Sequence, residues 1–129
     1  MSDHTESPEE TMLTIRPART DELERLSDLC LRSKAVWGYD QAFLAACKDE
    51  LSISKDDLLT SDVVVAEAGH QVIAVAQLLV DRTEADLGKL FVDPDRLGTG
   101  AGRRLFEWAC ATARAKGAET LIIDSDPDA

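Results

Sequence analysis

The hydrophobic pattern changes period several times along the chain, and each change marks a predicted element. Met12 to Pro17 is a short apolar alternation closed by proline, which predicts a strand at a sheet edge because proline cannot donate to a ladder. Leu23, Leu26 and Cys30 then recur at helical spacing behind Thr20, Asp21 and Glu22. A capping hydroxyl and two acidic residues suit a helix N-terminus, and Gly38 is where that helix should fade. Asp40 is placed to cap a second helix with the apolar stripe Phe43, Leu44, Cys47 and Leu51. Ser54, with Asp57 three residues later, starts a further helical turn.

The middle of the chain switches to strands. Asp62 to Ala68 and Gln71 to Val80 are β-branched and strongly apolar. Gly69 and His70 between them fit a two-residue type II′ hairpin, which makes the pair antiparallel and His70 a turn residue rather than a base. Ala85 to Val92 is another strand, ended by Asp93 and Pro94. From Ala101 the residues Leu105, Trp108, Ala109, Thr112 and Ala113 follow one helix face, stopped at Lys116 and Gly117, and Thr120 to Asp124 is the last strand. Strand, glycine loop, helix and strand in that order form a right-handed crossover. The predicted fold is therefore α/β in class, a mixed sheet whose antiparallel meander leads into a parallel β-loop-α-β unit.

Composition narrows the picture. With 129 residues, 44% apolar and 30% charged, the chain fits one domain over 12–129 behind a polar, acidic tail at 1–11 expected to be disordered. No run approaches the roughly 20 apolar residues of a membrane span, and no secretory leader is visible, so a cytoplasmic location is the default expectation. The net charge of -11 argues against nucleic acid, whose phosphates require a surplus of Lys and Arg. Cys30, Cys47 and Cys110 are odd in number and lack a CxxC, and only His4 and His70 accompany them. Neither a disulfide framework nor a metal site is expected.

Candidate chemistry concentrates in Gly98-Thr99-Gly100-Ala101-Gly102-Arg103-Arg104. Between a strand and a helix, free backbone N–H groups and the helix dipole converge on an anion. Glycines let a bulky diphosphate approach, and Arg103 and Arg104 add charged donors. A P-loop would need Gly-Lys-Ser/Thr, and the dinucleotide fingerprint a glycine where Arg103 stands. The competing interpretation is a glycine turn chosen for backbone geometry alone.

The stretch Leu90-Phe91-Val92-Asp93-Pro94-Asp95-Arg96-Leu97-Gly98-Thr99-Gly100-Ala101-Gly102-Arg103-Arg104-Leu105 resembles the acetyl-CoA-binding motif of the GNAT N-acetyltransferases, in which Gln or Arg precedes Gly-x-Gly-x-Gly. Here Leu97 holds the Gln/Arg place, with Arg96 one residue earlier. The order of elements extends the resemblance over roughly Leu13 to Asp124, and Ser33 to Asp40 is similar to a segment in some bacterial members.

The resemblance implies an enzyme that moves an acetyl group from acetyl-CoA to a primary amine of a small molecule or protein. It implies cofactor contacts from Leu90, Phe91 and Val92 through Arg96, Leu97 and the glycine loop to Arg104, and a backbone N–H near Leu90 to Val92 that polarises the thioester. Asp86 is the candidate base, against the alternative of an exposed strand carboxylate, and Trp37 and Tyr39 are candidates for covering the acceptor. Relatives continue past this last strand with a helix and two strands. The chain is accordingly expected to be a C-terminally truncated domain whose exposed edge invites pairing with a second copy. Leu97 and the shortened end keep open a weakly active or inactive acyl-CoA-binding module, and a nucleotide-binding α/β domain is a third reading.

Overall fold

A computed structural model describes residues 13–35 and 52–123. Five strands form one sheet in the order β1-β2-β3-β4-β5: β1 (Leu13–Pro17), β2 (Asp62–Ala68), β3 (Gln71–Asp81), β4 (Glu84–Val92) and β5 (Thr120–Ile123). The first four pair antiparallel and β4 pairs with β5 in parallel. This is the mixed sheet expected from the sequence, with β1 at an edge. Gly69 has φ 64 while His70 does not share the positive sign, as a type II′ connection requires of its two loop residues.

Three α-helices accompany the sheet among the described residues: α1 (Leu23–Ala35), α2 (Lys55–Thr60) and α3 (Ala101–Ala115). α2 begins with the expected box, Ser54 Oγ accepting from Asp57 N–H and Asp57 Oδ2 accepting from Ser54 N–H. At α1 the start differs from the expected Thr20 cap. Thr20–Glu22 form a 3-10 turn, and the Glu22 carboxylate accepts the Arg19 N–H at 2.9 Å. Glu22 is drawn there by Arg16, whose guanidinium binds it at 2.6 Å and also reaches Glu67 on β2. The predicted helix from Asp40, together with Trp37, Tyr39, Cys47 and Asp124, lies outside the described residues.

Strand alternation divides the core in two. Leu78, Ala85, Leu87 and Ile73 pack under α3 through Ala101, Leu105, Ala109 and Ala113. On the opposite side Val65, Val75 and Phe91 pack under α1 through Leu26, Leu29 and Cys30. The helical spacings read from the sequence are thus buried stripes. Cys30 is fully buried, and desolvation pushes its thiol up to about 12 against the opposing field of Lys89. An inert core thiol is the result.

Candidate functional site

β4 carries the central irregularity. Opposite β3, Lys89 pairs with Gln77 but Leu87 pairs with Leu78, so Gly88 is an extra residue and β4 bulges. Pairing with β5 covers Glu84 to Leu87, and among the described residues no strand bonds the same edge from Gly88 to Val92. Phe91 is buried under α1, while Leu90 and Val92 are half-buried under α3. Their side chains pack into the two core clusters.

Asp86 is half-buried rather than a fully exposed strand carboxylate, and its Oδ1 lies 4.0 Å from where a Cβ on Gly88 would stand. The carboxylate therefore hangs over the bulge. Nothing in the period of the sequence marked Gly88, although a lone glycine inside a strand pattern is a bulge signal.

Beyond β4, Asp93 turns the chain. Its N–H donates to Ile73 O at 2.7 Å, and its buried carboxylate accepts the Asp95 N–H at 2.9 Å, opening a 3-10 turn over Pro94–Arg96. Arg32 on α1 binds both Asp93 oxygens, at 3.1 and 3.2 Å, and donates its Nε to Asp28 at 2.9 Å. Burial works to raise the Asp93 carboxyl, yet the Arg32 guanidinium and the Asp95 amide together hold it below its ordinary value. This clamp joins two segments 61 residues apart, which is why no local pattern announced it.

The glycine loop follows. Gly98 and Gly100 have φ 88 and φ 87, values that strain any residue with a Cβ. A Cβ on Gly102 would stand 3.3 Å from Val92 Cγ2, so glycine there lets α3 lie close to β4. Gly100 occupies the N-cap of α3 without a side chain to fill it, and the helix ladder begins with Arg104 N–H to Gly100 O at 3.0 Å. The N–H groups of Gly102 and Arg103 precede that bond and face out of the helix end.

Not every amide of the loop is open. Thr99 Oγ1 donates to Arg96 O at 3.0 Å and accepts the Ala101 N–H at 3.4 Å. The expected cradle is narrowed accordingly to the groups on either side of Ala101, whose own side chain is buried.

Around the loop, Arg96 Nη1 donates to Gln71 at 3.2 Å, Arg103 leans along the helix to Glu107 at 3.4 Å, and Arg104 is half-buried in the first turn. Leu97, in the position corresponding to the family's Gln or Arg, is 60% exposed. It offers the loop no donor. The structure thus brings Leu90 to Arg104 into one continuous strand, turn and helix start, and sets Asp86 over the bulge in the same strand.

A family model described as an acetyltransferase (GNAT) domain matches residues 60–128, which is more than half of the chain. The chain belongs to this family. Solved structures agree on the fold of the GNAT domain. It is similar to the PaiA N-acetyltransferase of Thermoplasma acidophilum in complex with coenzyme A, at 18% identity and TM-score 0.72 over 81% of this chain and 74% of that one. A GCN5-related N-acetyltransferase of Ralstonia eutropha JMP134 is 22% identical at TM-score 0.74, covering 90% and 85%. A GNAT family acetyltransferase of Brucella melitensis in complex with acetyl-CoA is 19% identical at TM-score 0.65, covering 88% and 76%. No curated protein matches the chain. No helix among the described residues is long and apolar enough to cross a membrane.

Proposed function

We infer that this GNAT domain transfers an acetyl group from acetyl-CoA to a primary amine. The single observation that supports it most is the pairing of two features in β4 and its continuation. A strand edge from Gly88 to Val92 lacks a strand partner among the described residues, and it runs directly into a helix N-terminus with no side-chain cap. The first suits an extended amide-bearing arm, the second a diphosphate. When bound, acetyl-CoA supplies an activated thioester. The chain's own residues do the rest: the N–H groups of Gly102 and Arg103 receive the diphosphate oxygens, Arg96 and Arg104 contribute positive charge, and the main chain of Leu90, Phe91 and Val92 orients the arm.

A main-chain N–H beside the bulge is positioned to hold negative charge developing on the carbonyl oxygen, because a fixed dipole needs no reorganisation during the reaction. Asp86 over the bulge accepts the proton that an ammonium acceptor must lose before attack. Trp37 and Tyr39 are assigned to the acceptor cover on sequence grounds. The acceptor is a small molecule or a protein amine, and the expected cytoplasmic location and pairing with a second copy belong to the same proposal.

Coenzyme A titrated into the labelled protein should shift the amide resonances of Gly98 to Arg104 and of Leu90 to Val92, and mixing with acetyl-CoA and amines should release free thiol. Unmoved loop amides at millimolar coenzyme A would sink the assignment. Leu97 favours a second reading, an acyl-CoA-binding module, since an exposed leucine adds no donor to the diphosphate. Tight binding without thiol release across a broad amine panel would select it.

A further inference from the structure

Asp86 and Lys89 are three positions apart, and in a regular strand an odd separation sends two side chains to opposite faces. The bulge at Gly88 cancels that rule. Lys89 pairs with Gln77 and Asp86 with Leu79, and Gln77 and Leu79, two apart on β3, share a face. Both charged residues therefore stand on the α1 side of the sheet. Their partners on β3 are separated by two residues, so the two strand positions lie only about 7 Å apart along the sheet at 3.3 Å per residue.

The ammonium is held in place by a polar relay. Lys89 Nζ donates to Gln77 Oε1 at 3.2 Å, Gln77 Nε2 to Ser61 Oγ at 2.9 Å, and the Ser61 hydroxyl to Asp57 O at 2.6 Å. A chain of this kind, rooted in the last turn of α2, fixes a half-buried lysine that would otherwise swing to water. One of the three ammonium donors is used by Gln77, and no other bond of Lys89 is formed among the described residues. Leu79 and Ile122, on the strands either side of Asp86, are 48% and 37% exposed and give the floor an apolar border.

The geometry points to an acceptor that carries a carboxylate beside its amine, an amino acid in zwitterionic form, with its amine over Asp86 and its carboxylate on Lys89. This rests on the acetyl-transfer reading. It deepens that reading by choosing among amines. An anionic and a cationic side chain on one face of β4, their strand positions about 7 Å apart at 3.3 Å per residue, match in order the ammonium and the carboxylate of one amino-acid head group. A polyamine would bring a second cation against Lys89, and like charges at close range are repelled. An amine with no anionic group would leave the half-buried ammonium with the neutral Gln77 amide as its bonded partner and its charge uncompensated by the acceptor.

The test is calorimetry and transfer with the full chain saturated with coenzyme A or acetyl-CoA, using a panel of free L-amino acids, their α-amides and spermidine. Free amino acids are expected to bind best in the wild type. Lys89→Met should weaken their binding roughly tenfold to a hundredfold, the scale of a hydrogen bond to a charged group, while the α-amides change far less. Comparing the amino-acid to amide ratio between wild type and variant cancels the intrinsic difference in amine basicity. Lys89→Arg, which keeps the charge should the methionine variant fold poorly, is expected to keep the preference, and Lys89→Glu to turn it toward spermidine. A wild type that prefers α-amides or spermidine, that binds coenzyme A but no amino acid, or whose ratio is unmoved by Lys89→Met overturns the inference. Failure to bind coenzyme A at all would instead remove the acetyl-transfer reading beneath it.

Discussion

The two faces of the sheet are built from the same strands and do different work. Under α3, β3 and β4 present Leu78, Ala85 and Leu87 to a helix that answers with Leu105 and Ala109, all of them buried. Under α1 the same strands begin apolar with Val75 and Phe91, then turn polar at Gln77, Lys89 and Asp86. Apolar burial at about 25 cal/mol per Å² favours the first arrangement everywhere. Polar side chains on a half-buried floor cost stability unless bonded, and here Gln77 accepts from Lys89 and donates in turn to Ser61. The contrast separates a face that is apolar where both strands meet the helix from one where an apolar cluster gives way to polar side chains.

Asp86→Asn attacks the polar face most directly. Loss of a general base is expected to lower kcat about 100- to 10,000-fold with little change in the melting temperature. An unchanged kcat in steady-state thiol-release assays would remove Asp86 from the mechanism. Leu87→Ala attacks the other face from the neighbouring position in β4. Deleting a fully buried leucine should cost about 2–5 kcal/mol of unfolding free energy in urea melts, and a loss well below 1 kcal/mol would mean that the α3 face is not the stabilising one.

Arg32→Gln tests the link between the faces, because it leaves the buried Asp93 carboxylate facing a neutral partner. Arg32 is 42% exposed at its side chain, so solvent softens the effect, and a loss of about 1–2 kcal/mol is expected. Coenzyme A affinity should fall with it, since the turn that feeds the glycine loop is bonded to that carboxylate. Equal affinity in wild type and variant would detach the clamp from the loop.

The smallest effect is the onset of acid sensitivity. Glu22 is held below its ordinary 4.5 first by the Arg16 hydrogen bond, and Asp93 below 3.8 despite its burial. Carboxyls lowered in the folded state stabilise it fully above those ordinary values and lose that contribution as pH falls through the folded ones. Urea midpoints should be flat from pH 7 to about 5 and decline below roughly 4.5. In Arg16→Met the decline should be shallower, and an identical acid limb in both proteins would rule the pair out as its source.

Much of this protein is written locally. The alternation at Met12–Pro17, the β-branched apolar runs at Asp62–Ala68 and Gln71–Val80, the Ser54 box, the Gly69 turn and the glycine run at the head of α3 all follow from residue types within a few positions of one another. Period and turn chemistry act over that range, so the described strands, helices and the glycine loop were readable before any fold was known. Other features depend on segments meeting in space. The shift at Gly88 that turns Asp86 and Lys89 to one face is a matter of register with β3, and the Arg32–Asp93 clamp spans 61 residues. Strand register and long-range ion pairs are chosen by packing of whole elements, which no window of sequence contains.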